Sequence, residues 1–239
     1  MRNVTLMLSL FTLMTACAPA STAEGAADLE KQAAALGETV PGTDIPIPQE
    51  YAPGGKINYA YRVALFAEHP PAPGAVAMVG DSITEGGDWT RLLPGVRTAN
   101  FGVGWDRTSG LLARLAQIEA AKPSKIVLLI GTNDIGNGVP VTEVAENADR
   151  IIAELAALAP GAVLVQAVMP REAQFRDEIE TLNASLAESA GRHGAAFLDT
   201  YAPFLVGEGL DPTLTDDSLH LNGAGYARWA GLLQGWVSE

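Results

Sequence analysis

Cysteine is almost missing from this 239-residue chain. Cys17 is the only one, so no disulfide can form within the chain and the fold must rest on its core. Histidine is nearly as scarce, at three residues, and this leaves no zinc-type ligand cluster; neither a metal nor an organic cofactor is expected. Basic residues are few. Fifteen Lys and Arg stand against 28 Asp and Glu, for a formal net charge of −13. Such a chain repels nucleic acid and anionic bilayers, so neither is expected as a partner, and the acidity reads as a solvated surface. The one apolar run near the start, residues 4–14, falls short of the about 20 residues that span a bilayer. Glycine-rich turns such as Gly136-Asn137-Gly138 lack the lysine and spacing of a phosphate loop. No internal repeat is visible. What the chain does have is apolar material: 48% of its residues are hydrophobic, enough for one globular domain plus a tail.

The first residues read as a targeting segment. Arg2 supplies a small positive charge, the apolar run follows, and it ends in Met14-Thr15-Ala16-Cys17. This is similar to the bacterial lipobox, with Met14 where Leu is usual, and it gives the lone cysteine a use. The expectation is an exported lipoprotein, periplasmic or anchored to the outer membrane, touching a membrane only through lipid on Cys17. Plain cleavage after Ala18 or Ala20 is the alternative. Residues 18–55 are rich in Ala, Pro, Gly, Ser and Thr, and Pro41, Pro46, Pro48 and Pro53 stop any long helix there. That stretch reads as a tether, with a short helix over 28–36, and residues 56–239 as the functional domain.

Beyond residue 56 short apolar runs alternate with helical periodicity. Runs at 75–79, 126–130, 162–168 and 195–198, with a weaker one at 96–100, read as buried parallel strands. Between them, Leu111, Leu112, Leu115 and Ile118 share one helical face, as do Val144, Ala148, Ile151, Ile152 and Leu155. Tyr226, Trp229, Leu233 and Trp236 share another, with Asn222 as N-cap. The alternation predicts an α/β fold, a three-layer α/β/α sandwich around a doubly wound, flavodoxin-like parallel sheet of about five strands.

In such a sheet, ligands bind outside the carboxyl ends of the strands. The polar candidates fall there: Ser82 after the first strand, Asn100-Phe101-Gly102 at the second, Gly131-Thr132-Asn133-Asp134 after the third, and Asp217 and His220 in the last loop. Taken singly, Ser82 suits a helix cap, Asn133 a turn and His220 a loop. Together they offer a nucleophile, a base and a carboxylate to orient the base, the three roles of acyl transfer through an acyl-enzyme. The lipase-type elbow G-x-S-x-G is absent, because Ser82-Ile83 is followed by Thr84, so the architecture is a different one. His193, in Gly191-Arg192-His193-Gly194, reads as a helix end, and Asp81 and Asp106 as loop buttresses.

Gly80-Asp81-Ser82-Ile83-Thr84, the segment 100–106, Gly131-Thr132-Asn133-Asp134 and Asp217-Ser218-Leu219-His220 resemble the four sequence blocks of the SGNH, or GDSL, hydrolases. Residues 100–115 look most like the branch that contains the platelet-activating factor acetylhydrolase catalytic subunits. The resemblance implies the SGNH fold and an ester hydrolase. It makes Ser82 the nucleophile, His220 the proton carrier and Asp217 its orienting carboxylate. It assigns the oxyanion hole to the Asn133 amide and to backbone N–H groups of Ser82 and the second block. That block departs from the family where Trp105 replaces the usual Gly before Asp, so Gly104 and Trp105 both stand as donors.

The loops at the strand ends carry Trp89, Trp105, Asp106, Arg107, Arg171 and Phe175 among others, and no long aliphatic run. This mixture suits a small ester with a polar leaving group, such as an acetylated carbohydrate, better than a lipid tail. A lysophospholipase or thioesterase with a longer acyl groove is the alternative enzyme, and an inactive carbohydrate-binding lipoprotein the alternative from another class. The sequence leaves the oligomeric state open.

Overall fold

The computed structural model describes residues 23–239. Cys17 and the other targeting residues lie outside the described residues. Two compact units part between Glu68 and His69. In the first, helices α1 (Ala23–Ala34) and α2 (Pro53–Glu68) pack on each other. Between them the chain pairs Thr39 with Pro46, the Val40 N–H bonding Ile45 O at 2.8 Å, and the rings of Tyr51 and Tyr59 meet edge-on at 5.9 Å. The expected start at residue 56 thus falls inside α2, whose hydrogen-bonded ladder begins at Pro53, a residue suited to a first helical turn. The stretch read as a tether holds α1, which begins five residues and ends two residues before the helix expected over 28–36.

The second unit alternates strand and helix: β1 (Val76–Gly80), α3 (Ser82–Glu85), α4 (Trp89–Leu92), β2 (Thr98–Gly102), α5 (Thr108–Ala113), α6 (Leu115–Ala120), β3 (Lys125–Leu129), α7 (Thr132–Gly136), α8 (Val141–Leu158), β4 (Val163–Gln166), α9 (Arg176–Arg192), β5 (Ala196–Leu198), the small antiparallel pair β6 (Leu205–Val206) and β7 (Gly209–Leu210), and α10 (Gly223–Ser238). The five long strands form one parallel sheet in the order β2-β1-β3-β4-β5. This is the doubly wound order expected from the strand–helix alternation. Met78 pairs with both Asn100 and Val127, so β1 has a neighbour on each side.

Every residue of β1, and all but the first of β3, is buried, because helices cover both faces. On one face Val76, Met78, Val127, Leu129 and Leu164 join Trp89, Leu93, Trp229, Leu233 and Val237 in a single apolar cluster. The alternate residues Ala77, Val79, Ile126 and Leu128 point the other way, towards the layer of α5, α8 and α9. Asn222 caps α10, its side chain accepting from the N–H groups of Ala224 and Gly225 at 3.0 and 3.1 Å. Burying a side chain such as Leu233 contributes roughly 1.5–3 kcal/mol.

The helical face at 111–118 is two short helices rather than one. The chain leaves helical geometry at Arg114, whose side chain is fully buried. The strand order reverses between β1 and β3, and the loops that follow those strands carry Ser82 and Asn133.

Candidate active site

Ser82 opens α3 directly after β1. The turn is tight because two glycines permit it. A Cβ on Gly80 would overlap Leu129 O and Thr84 Oγ1, and one on Gly102 would overlap the backbone of Glu85. Asp81 caps the turn, accepting from Ile83 N–H at 3.0 Å. Asn100 then ties α3 to β2. Its amide donates to the carbonyls of Thr84 (3.1 Å), Glu85 (2.9 Å) and Gly87 (3.3 Å), and its oxygen accepts from Gly102 N–H at 2.8 Å. The Tyr226 hydroxyl donates to Ile83 O at 2.8 Å and the Trp89 indole to Thr84 O at 2.9 Å. The serine is therefore held by polar contacts from β2, α4 and α10.

His220 Nε2 lies 3.0 Å from Ser82 Oγ, and His220 Nδ1 lies 2.7 Å from Asp217 Oδ2. The other carboxylate oxygen accepts the N–H groups of Leu219 (3.0 Å) and His220 (2.7 Å). Thr215 closes the turn by donating to His220 O at 2.6 Å, and Ser218 takes a positive φ of 66° inside it. Burial opposes ionisation of Asp217, but the hydrogen bonds from the His220 side chain and from the two backbone groups outweigh it and hold its carboxyl at about 2. A carboxylate on Nδ1 favours the tautomer of the neutral ring that carries its proton there and turns the Nε2 lone pair to the serine hydroxyl, the arrangement that accepts a proton from it.

The two remaining blocks meet here. The Gly104 N–H is taken by the Glu85 carboxylate, which removes it from the oxyanion-hole residues expected from sequence. The N–H groups of Trp105, which has φ 62°, and of Ser82 each donate to no acceptor among the described residues. Asn133 sits in the first turn of α7 and spends one amide hydrogen on Asp106 O at 2.9 Å.

Beneath these loops lies a layer of buried charge that sequence reading missed in part. Asp106 and Arg114, both wholly buried, pair at 2.8 Å, and the guanidinium also donates to Gly80 O at 3.1 Å. Asp134 accepts from Thr108 Oγ1 at 2.7 Å and from Thr108 N–H. Burial raises Asp81 to about 7, against the bond from Ile83 N–H, and raises Asp134 to about 6, against its bonds from Thr108. Arg114 was legible in principle, since it stands at the helical spacing of Leu111, Leu115 and Ile118. A charged residue on an apolar face signals a buried partner.

Of the aromatic and polar residues expected on the rim, Trp89 is 2% exposed and packs edge-on against Trp229 at 4.7 Å, so it belongs to the core. Asp106 is a buttress, as its sequence position suggested. Arg171 remains at the site's edge. It bonds Thr132 O at 3.1 Å and Glu172 at 2.7 Å and lies 4.3 Å from the Phe175 ring centre. His193 ends α9 and meets Asp149 at 2.9 Å, beside Ser189 and Arg192, a cluster whose groups all converge on one carboxylate oxygen. Among the described residues no group of three or more His, Cys, Asp and Glu could hold a metal ion.

Comparison with known proteins places this geometry. Residues 78–228 match the family model of the GDSL-like lipase/acylhydrolases. The human platelet-activating factor acetylhydrolase IB subunit alpha2 is 31% identical over 165 residues, 64% of this chain and 71% of that protein. The structure of a GDSL-like lipase from Bacteroides thetaiotaomicron superposes with a TM-score of 0.63 at 25% identity, covering 76% of this chain and 97% of the other. That of an acetylxylan esterase from Geobacillus stearothermophilus superposes at 0.60 over 71% and 96%; at 18% identity this likeness is one of fold. The match spans the sheet, the serine turn and the histidine loop together, and the chain belongs to the GDSL-like lipase/acylhydrolase family as an ester hydrolase of SGNH fold.

Proposed function

We propose that the protein hydrolyses short-chain carboxylic esters, acetyl above all, through an acyl-enzyme on Ser82. The observation that carries this reading is the hydrogen-bonded chain from Ser82 Oγ through His220 to Asp217. In the first half-reaction Ser82 Oγ attacks the ester carbonyl while His220 Nε2 takes the hydroxyl proton. The negative charge moves to the carbonyl oxygen, where the N–H groups of Ser82 and Trp105 and the second amide hydrogen of Asn133 receive it; one such donor is worth about 3 kcal/mol of barrier. His220 then protonates the departing alcohol. Water repeats the sequence on the acyl-enzyme and releases the acid. Asp217 keeps the imidazole in the working tautomer and stabilises its cation.

Two observations favour a short acyl group. The relative at 31% identity is named an acetylhydrolase. The loops after β1, β2, β3 and β4 offer no long aliphatic run for a long chain, and the apolar stretch Ala167-Val168-Met169 after β4 is buried. The polar residues Arg107 and Arg171 suit a hydroxylated leaving group such as a carbohydrate. The test is kcat/KM over p-nitrophenyl esters of graded length, with fluorophosphonate labelling of Ser82. Efficiency should fall beyond butyrate. Higher efficiency on palmitate than on acetate would overturn the short-chain reading in favour of a lysophospholipase or thioesterase.

The same proposal places the protein outside the cytoplasm, lipidated on Cys17, on the strength of the Arg2, apolar-run and lipobox-like order of the first 17 residues. A mature N-terminus beyond Cys17 without lipid, read by mass spectrometry, would refute the anchor.

A further inference from the structure

Trp105 stands against two local physical preferences at once. Its φ of 62° lies in the left-handed region, which strains an L residue and not glycine. Its side chain is 55% exposed, and among the described residues the indole makes no hydrogen bond or ring contact. The other exposed large apolar residues among those described, Phe197 in β5 and Val206 in β6, have ordinary backbones. A backbone donor at position 105 needs no side chain, and glycine would hold φ 62° without strain. The rest of the loop is fixed independently: Glu85 holds Gly104, and Asp106 is buried on Arg114. Neither packing nor backbone geometry accounts for the indole, so its use lies in what approaches from solvent. Strain retained at such a place marks function.

Resting on the esterase reading above, we propose that the Trp105 indole is the platform for the alcohol portion of the ester, and that this portion is a ring with an apolar C–H face, as a pyranose has. The N–H of the same residue points at the acyl oxygen in that reading, so an alcohol leaving from the same carbon departs within reach of its side chain. A quaternary ammonium would call for a cage of several aromatic rings. Trp89 and Trp229 are buried in the core, and Phe175 lies under Arg171. A single flat face suits stacking of one ring, an interaction of about three- to tenfold in affinity.

The experiment compares the parent with Trp105→Gly and Trp105→Phe on a peracetylated pyranose and on ethyl acetate, which has no ring. Glycine keeps the N–H and relieves φ, so the readout is the ratio of the two kcat/KM values. Trp105→Gly should lower the sugar-to-ethyl ratio about three- to tenfold, through KM, and Trp105→Phe should restore part of it. A ratio unchanged by Trp105→Gly overturns the platform. A second readout does not need turnover. In Ser82→Ala, tryptophan fluorescence should respond to an acetylated xylo-oligosaccharide and lose that response when Trp105→Gly is added. A response to choline in place of the sugar overturns the proposal, as does no response to either. A parent that hydrolyses neither ester but binds the sugar through Trp105 sinks the esterase reading alone and leaves the platform standing.

Discussion

Two polar assemblies converge on the loop that carries Ser82, and they are built in opposite ways. The Asp217–His220 turn is largely exposed, its carboxylate held ionised at about 2 by hydrogen bonds. The layer beneath it, Asp81, Asp106, Arg114 and Asp134, is buried, and two of its carboxyls are pushed up to about 7 and about 6. Strongly raised carboxyl pKa values are commonly read as a mark of chemistry. Here they mark framework. The groups aligned to move a proton lie where solvent keeps the cost of charge low. The groups that hold the loops in register carry the desolvation. Arg114 explains how: one guanidinium touches the Asp106 carboxylate of the second block and the Gly80 carbonyl of the first. It holds the loops that supply Ser82 and Trp105.

The difference can be tested from either side. The largest effect belongs to the exposed assembly. Ser82→Ala should lower ester hydrolysis by on the order of 10⁴- to 10⁶-fold with unchanged circular dichroism and Tm. A folded variant with near-parental turnover would remove the serine from the mechanism. Asp217→Asn comes next. Its amide NH2 can donate to Nδ1 and hold the wrong tautomer, and the neutral amide does not stabilise the cation as a carboxylate does, so turnover should fall on the order of 10²- to 10⁴-fold. Single-turnover rates check this.

The buried assembly should respond in the reverse sense, through stability first. Arg114→Met leaves the Asp106 carboxylate uncompensated in the interior. The expected loss is about 3–5 kcal/mol, or roughly 10 °C in Tm, read by calorimetry. A Tm within a degree or two of the parent would show that the pair does not hold the loops. The smallest effect is a pH slope. Asp81 has a folded value of about 7 against an ordinary 3.8, so the folded chain holds the extra proton between those values. Its contribution to stability is full below about pH 4 and is lost as the pH rises towards 7. Asp217 has the opposite sign: held at about 2, its contribution is present above pH 4 and lost as the pH falls to 2. Asp81→Asn keeps an acceptor for Ile83 N–H and removes the titration. It should flatten the decline of Tm between pH 4 and 7 by a few degrees while leaving the acid limb unchanged. An identical slope in both proteins would place Asp81 outside the titrating layer.

Much of this was legible in order of sequence. Short apolar runs bounded by turn residues located the strands to within two residues; for β1, β3 and β4 this is because a strand buried on both faces has no polar positions to blur it, whereas β5, expected to be buried, is an edge strand with Ala196 and Phe197 exposed. Asn222 declared the start of α10 for a local reason, the capping of two N–H groups. The shared face at 111–118 is carried by two helices, since periodicity reports which side chains are buried and not whether the backbone is unbroken, and the chain leaves helical geometry at Arg114. Trp89 was misplaced on the rim for a similar reason. An aromatic residue in a strand-end loop can turn outward or inward, and its turn towards Trp229 depends on α10, more than a hundred residues away.

The sequence by itself determined the fold class, the order of the sheet's strands and helices, and the residue types that meet at its rim, since each follows from local spacing and from the rule that parallel strands end on one side. Only the tertiary structure decided how those residues divide their work. Gly104 and Trp105 are adjacent and equally able to donate an N–H. What distinguishes them is tertiary: the Glu85 carboxylate accepts the Gly104 N–H, while Trp105 lies in the left-handed region. The charged layer under the loops was equally beyond local reading. Asp81, Asp106, Arg114 and Asp134 come from four separate turns and helices, and an ionisable group's burial and partners are set by what folds over it.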